Sequence, residues 1–241
     1  MTNKSLEMPF WDHLEELRWR LIKSIVVILI GAGITYRFSD TIMHWLIIPT
    51  ESLYIDLNLQ VLKITSMFTV KLSVALFGGI ILGLPVILYQ FWRFVAPGLK
   101  VNEKQYAFPV VFFAFSSFIT GILFGYFILI PFSLEFFSGI GAAHVDNNFS
   151  IQYYFSFLTW ILLGAGIIFQ LPVVSLVLSA IGILTPPFMR HYRRHSVVVI
   201  LILSSFITPP DPVSMVIMSF PLILLYEMSI GVSWLVNRRR T

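Results

Sequence analysis

The chain has 241 residues, 57% of them hydrophobic and 12% charged, with a formal net charge of +4. So little charge cannot cover the surface of a water-soluble domain of this size, so the composition excludes a soluble globular protein and indicates an integral membrane protein. The absence of cysteine excludes disulfides, thiolate nucleophiles and cysteine-ligated metals.

In chain order, a polar stretch comes first, with Glu15 and Glu16 set among Arg18, Arg20 and Lys23. Acids interrupt this basic flank and no small-x-small site follows the apolar run behind it. Direct membrane insertion without a cleaved signal is therefore expected. A spanning helix needs about 20 apolar residues, and candidate spans lie at 21–36, 70–92, 106–131, 151–181, 196–207 and 213–236. The first is short and carries Lys23, which can snorkel to the interface, as can Lys71 at the edge of the second. Pro109 and Pro131 sit near the ends of the third, where a helix tolerates them. The last two are the weakest: residues 196–207 make roughly 18 Å of helix against a hydrocarbon core of about 30 Å, and Glu227 interrupts 213–236. Two true spans in a locally thinned bilayer are expected, joined by an aqueous turn at Thr208-Pro-Pro-Asp-Pro212.

Charge orients these spans. Lys4, Arg18, Arg20 and Lys23 precede the first, Arg93, Lys100 and Lys104 follow the second, Arg190, Arg193 and Arg194 follow the fourth, and Arg238, Arg239 and Arg240 end the chain. That is 13 of the 16 basic residues on one side, leaving Arg37, Lys63 and Lys71 elsewhere. The asymmetry places both termini in the cytoplasm. The expected fold is thus an all-α integral membrane protein, one domain over 1–241, with six transmembrane helices, the last two short.

The motifs fall in a particular order. His13-Leu-Glu-Glu-Leu-Arg18 precedes the first span. Pro85-Val-Ile-Leu-Tyr-Gln-Phe-Trp92 ends the second and runs on into Phe94-Val-Ala-Pro-Gly-Leu99 and Glu103-Lys104. Gly125-Tyr-Phe with Pro131, Phe169-Gln-Leu-Pro172, Thr208-Pro-Pro-Asp211 and Tyr226-Glu227 follow. In this order and spacing the chain resembles the TatC family, the polytopic subunit of the twin-arginine protein translocase, over nearly its whole length. The resemblance implies a concave, glove-like bundle in the cell inner (plasma) membrane. It implies a receptor for signal peptides bearing two consecutive arginines, partnered in an oligomeric complex by TatA- and TatB-like single-span proteins, and transport of folded passengers driven by the protonmotive force.

The resemblance also assigns residues. On a helix, Glu16 and Arg20 are i,i+4 neighbours and Glu15 and Arg18 are i,i+3, so local pairing at a solvated helix start accounts for these acids by itself. The resemblance instead places Glu16 and Glu103 as the acids of a signal-peptide surface, with Arg18 and Lys104 as adjacent bases. Phe94 matches a family aromatic that stacks on a guanidinium or anchors the interface; Trp19 and Trp92 read as interface anchors. Gln170 stands where many members carry an acid. It is either polar lining of the concave face or half of a helix–helix hydrogen bond. Glu227 is an ionisable residue within a span and so a functional candidate. Ser66 and Phe68 match an outer cap that shapes the site and contacts partners, and Asp211 matches a family acid in an outer turn. Met67 and Lys100 depart from the family, standing where proline and an aromatic are common.

Other chemistry is weakly represented. His191 and His195 have helical zinc spacing but sit among cations with no acid nearby. Neither a phosphate-binding glycine loop nor a serine-nucleophile motif is present. No enzymatic activity, cofactor, metal or nucleic acid is expected. The rival reading, a proton- or ion-coupled small-solute transporter, calls for acids and broken polar helices at mid-membrane, whereas here the acids gather at the inner rim. If the short penultimate span thins the bilayer, adding one turn of leucines to 196–207 impairs export of a twin-arginine passenger. Unchanged export in cells would refute the thinning.

Overall fold

The structure, a computed structural model, describes residues 10–51, 58–95, 107–139, 148–207 and 212–238, which are mostly helical. Helix α1 (Phe10–Arg37) starts well before the first apolar run, so residues 12–23 with all their charges are helical. At Phe38 the chain bends by 80° into α2 (Ser39–Glu51). After a short strand β1 (Asn58–Gln60) comes the long helix α3 (Ser66–Val95). Helix α4 (Ala107–Phe124) continues through a π-helical turn at Gly125–Leu129 into α5 (Ile130–Gly139). Strand β2 (Asn148–Ser150) leads into α6 (Ile151–Ile168), and a break at Phe169–Gln170 separates this from α7 (Leu171–Ile181). Helices α8 (Pro186–His191), α9 (Arg193–Ile207) and α10 (Pro212–Arg238) complete the described chain.

Among the described residues, four segments are long and apolar enough to cross a membrane: Ser66–Val95, Phe108–Gly139, Ile151–Ile181 and Met215–Leu235; the bent pair α1–α2 adds a fifth. Helix α9, at 15 residues, reaches only about 22 Å and is short, as the sequence suggests. Helix α10 corrects the other half of that expectation. Its 27 residues extend about 40 Å, so the final helix is not short. Pro221 interrupts its ladder without ending it, and Glu227 lies on an exposed face where a partner meets it.

Helices α1 and α3 run antiparallel in very close contact. A Cβ added to Gly79 would lie 2.6 Å from both the Ala32 nitrogen and the Ile28 oxygen, and one on Gly31 would lie 2.9 Å from the Gly79 oxygen. In hydrocarbon, helices gain nothing from hiding apolar surface from one another, so backbone-to-backbone packing over small residues is what holds such a pair together. Helices α4 and α6 cross in the same way, with a Cβ on Gly121 falling 2.7 Å from the Ala165 oxygen. The main core lies where these pairs meet, around Val74, Leu129, Phe155, Leu158, Ile161, Met218 and Leu222.

A second cluster joins α3 to α4 and α7 through Trp92, Val110, Ala114, Val173 and Val177. Trp92 is only 4% exposed. The interface-anchor reading of Trp92 is therefore corrected: its face of α3 is covered by two other helices. Trp19, 52% exposed on α1, remains free to meet an interface.

Backbone groups released by helix defects are recaptured from other helices. Pro49 has no N–H, so the Trp45 carbonyl loses its helical donor; the Tyr126 hydroxyl, from the π-helical turn, donates to it at 2.6 Å. Tyr154 donates to the neighbouring Leu46 carbonyl at 2.9 Å. Lys71 does not simply snorkel, because its Nζ lies 2.8 Å from Asp40 Oδ1 on α2. The strands, too short to show a period in the sequence, pair in parallel with Leu59 opposite Phe149, and Gln60 Nε2 donates to Asn148 Oδ1 at 2.9 Å.

Two outcomes test this packing. Gly79→Leu forces side-chain atoms into the α1 backbone and costs about 1–3 kcal/mol or more, read as a lowered unfolding midpoint in detergent. Tyr126→Phe strands the Trp45 carbonyl and costs roughly 1 kcal/mol, whereas Tyr153→Phe, at an exposed position, leaves the midpoint unchanged.

Candidate functional site

The first turns of α1 and the last turns of α3 meet at one end of their antiparallel pair. Three residues of α1, His13, Glu16 and Arg20, stand one turn apart on one helix face. The Glu16 carboxylate, its side chain 22% exposed, is gripped by Arg20: Arg20 Nε donates to Glu16 Oε1 at 3.0 Å, and Arg20 Nη2 donates to the same oxygen. The third arm of the guanidinium, Nη1, donates to Gln90 Oε1 on α3 at 3.2 Å. One carboxylate oxygen thus carries two charge-assisted contacts. The other, Oε2, is buried and has no hydrogen-bond partner among the described residues. His13 Nδ1 stands 3.8 Å from Oε2, too far for a hydrogen bond. The His13 ring lies flat against Phe94, with centroids 4.3 Å apart and planes 13° from parallel.

The sequence-derived site is therefore partly brought together. Glu16 and Phe94, from distant stretches of chain, meet through His13. Arg18 is exposed on α1 and makes no ion pair among the described residues. Glu103, Lys104 and Asp211 lie outside the described residues. Two contributors were missed, His13 and Gln90, whereas Arg20 pairs with Glu16 as their i,i+4 spacing implies. The i,i+3 and i,i+4 spacing of His13, Glu16 and Arg20 was visible. Gln90 offered one signal, an amide in the last turns of an apolar helix, but its partner lies 70 residues away.

The remaining candidates lie apart from this cluster. Gln170 sits at the break between α6 and α7, where its Nε2 donates to the Ala114 carbonyl of α4 at 3.0 Å. The Ser117 hydroxyl, also from α4, donates to the carbonyl of Phe169. Of the two sequence readings of Gln170, the helix–helix hydrogen bond is the one seen. Its amide donates where an ionised carboxylate could only accept. Glu227 is paired with Arg193 at 2.6 Å, with side chains 44% and 51% exposed. It closes the basic first turn of α9 onto α10 rather than standing alone in a span. Ser66 is buried at the start of α3, donating to Gln152 Oε1 at 3.2 Å, and Phe68 beside it is exposed.

Chemically, the α1–α3 end offers a carboxylate held in one orientation, one of its oxygens unsatisfied, next to an aromatic face. Such a set suits a planar cation that stacks and donates hydrogen bonds at once. Comparison with known proteins bears on the chain as a whole. The family model for the Sec-independent protein translocase protein TatC matches residues 12–221. The TatC of Halalkalibacterium halodurans is 37% identical over 97% of this chain and 92% of its own length, and that of Aquifex aeolicus 36% identical over 97% and 98%. A crystal structure of the twin-arginine translocase receptor TatC superposes with a TM-score of 0.81 at 36% identity, covering 93% of this chain and 99% of that one. A second, in the detergent DDM, gives 0.82 at the same identity. The chain belongs to the TatC family of Sec-independent protein translocase proteins and is a multi-pass membrane subunit of the twin-arginine translocase.

Proposed function

We propose that this chain is the translocase's receptor for twin-arginine signal peptides, docking them at its cytoplasmic face and nucleating the complex with TatA- and TatB-like partners. The bundle is read as a concave glove of six crossings in the inner membrane, with both termini cytoplasmic. The basic residues flanking α1, α3 and α9 support that orientation. The bent α1–α2 pair, the four long segments and short α9 are the six elements assigned to those crossings in this reading. In this reading α9 thins the bilayer where passengers cross, and the protonmotive force drives transport.

One observation carries the receptor reading: Glu16 is held by Arg20 next to the His13 ring stacked on Phe94, with a buried oxygen that has no partner among the described residues. From Phe94 the sequence runs on within ten residues to Glu103, the second acid of the proposed dock. A guanidinium matches a carboxylate in two parallel hydrogen bonds, which a lysine ammonium cannot do. A hydrogen bond to a charged group nets roughly 1.5–3 kcal/mol, so each acid contributes on the order of 10–100-fold in affinity. The same pairs fully exposed would give about 0–1 kcal/mol, which is why partial burial of Glu16 matters.

The solubilised chain is expected to bind a signal peptide containing Arg-Arg in preference to its Lys-Lys counterpart. Glu16→Gln and Glu103→Lys should each weaken the Arg-Arg peptide by about 10-fold or more. Equal binding of the two peptides, or undiminished binding by both variants, refutes the assignment.

A further inference from the structure

The His13 ring occupies an unusual position. It is a flat, nitrogen-bearing ring stacked on Phe94, with Nδ1 facing the unsatisfied oxygen of Glu16 at 3.8 Å. A guanidinium bound there would present the same features: a planar group on the aromatic face and a nitrogen toward the carboxylate. We propose that His13 is an intramolecular placeholder for an arginine of the ligand, displaced from Phe94 and from Glu16 Oε2 when the peptide binds. This rests on the receptor reading and adds to it the residue that keeps the empty dock closed and sets its selectivity.

Several observations support displacement of His13 rather than of Arg20. Arg20 is tied at three nitrogens, two to Glu16 Oε1 and one to Gln90, so moving it breaks three hydrogen bonds. His13 makes no hydrogen bond to Glu16 and is 41% exposed. It lies in the first turns of α1, where helices fray most readily. Moving it loses one stack, which the incoming guanidinium restores on the same face. The incoming group also donates to Oε2, which is buried and has no partner among the described residues, and so relieves the cost of that burial. Glu16 therefore keeps one oxygen for Arg20 and gives the other to the ligand. Selectivity follows, because a ligand lysine replaces the charge but has no planar face to cover Phe94.

A placeholder taxes affinity by the fraction of time it occupies the site. The test measures binding of Arg-Arg and Lys-Lys signal peptides to the full solubilised chain by titration, with the His13 imidazole resonances followed in parallel. Those resonances, assigned by their loss in His13→Ala, carry the ring-current shift of the Phe94 stack. Three results are expected. His13→Ala binds the Arg-Arg peptide about two- to tenfold more tightly than wild type. His13→Arg, which tethers a guanidinium in the dock, binds it more weakly than wild type. The His13 resonances lose their ring-current shift at saturating peptide. Unchanged or weaker binding by His13→Ala, or His13 resonances unmoved by bound peptide, overturns the placeholder while Arg-Arg preference in wild type and its loss in Glu16→Gln leave the receptor reading standing. Absence of any Arg-Arg preference in wild type overturns both.

Discussion

The α1–α3 contact underlies everything at the candidate site. Its register can be followed from end to end: Thr35 against Gly78, Ala32 against Gly79, Val27 against Gly83, Arg20 against Gln90, and His13 against Phe94. Backbone touches backbone at Gly79, so the pair can slide or rotate little without a clash. That tight mid-section sets which residues face one another several turns away. A slip of one residue would separate Arg20 from Gln90, and with it remove the anchor that fixes the Glu16 carboxylate. The glycines are thus remote from the chemistry and still determine its geometry.

A second constraint is the satisfaction of backbone groups in a medium without water. Pro49 in α2 and the break at Phe169–Gln170 each leave a carbonyl without its helical donor. In both cases another helix supplies one, Tyr126 to Trp45 and Ser117 to Phe169, and Tyr154 adds a further tie to the Leu46 carbonyl. Gln170 belongs to the same class, since its amide reaches the Ala114 carbonyl. The polar residues at these depths therefore act as ties between helices. At Gln170 the tie is made by a group that donates rather than titrates.

Charges outside the dock are also paired across elements. Lys71 ties α3 to Asp40 of α2 at one end of the bundle, and Arg193 ties α9 to Glu227 of α10. Both pairs are largely exposed, so they register helix ends more than they stabilise them. Glu16 differs from these acids in being mostly buried, with one oxygen that has no hydrogen-bond partner among the described residues. That difference, rather than the presence of an acid as such, is what singles out Glu16 as the candidate for the proposed dock.

The sequence by itself determined the membrane character, because a chain so poor in charge has nowhere else to fold. It determined most apolar segments by their length, the short α9, and the Glu16–Arg20 pair, because helical spacing is a local property. Its motifs, in order, also named the family. Tertiary structure alone decided which of several equivalent-looking residues matter. Trp19 and Trp92 both border apolar runs, yet only Trp92 is covered by neighbouring helices. Gln90 and Arg20 are unremarkable until α1 and α3 are docked in register. Pairing across 70 residues depends on how backbones approach at Gly31 and Gly79, and no local pattern of side chains encodes where two helices will touch.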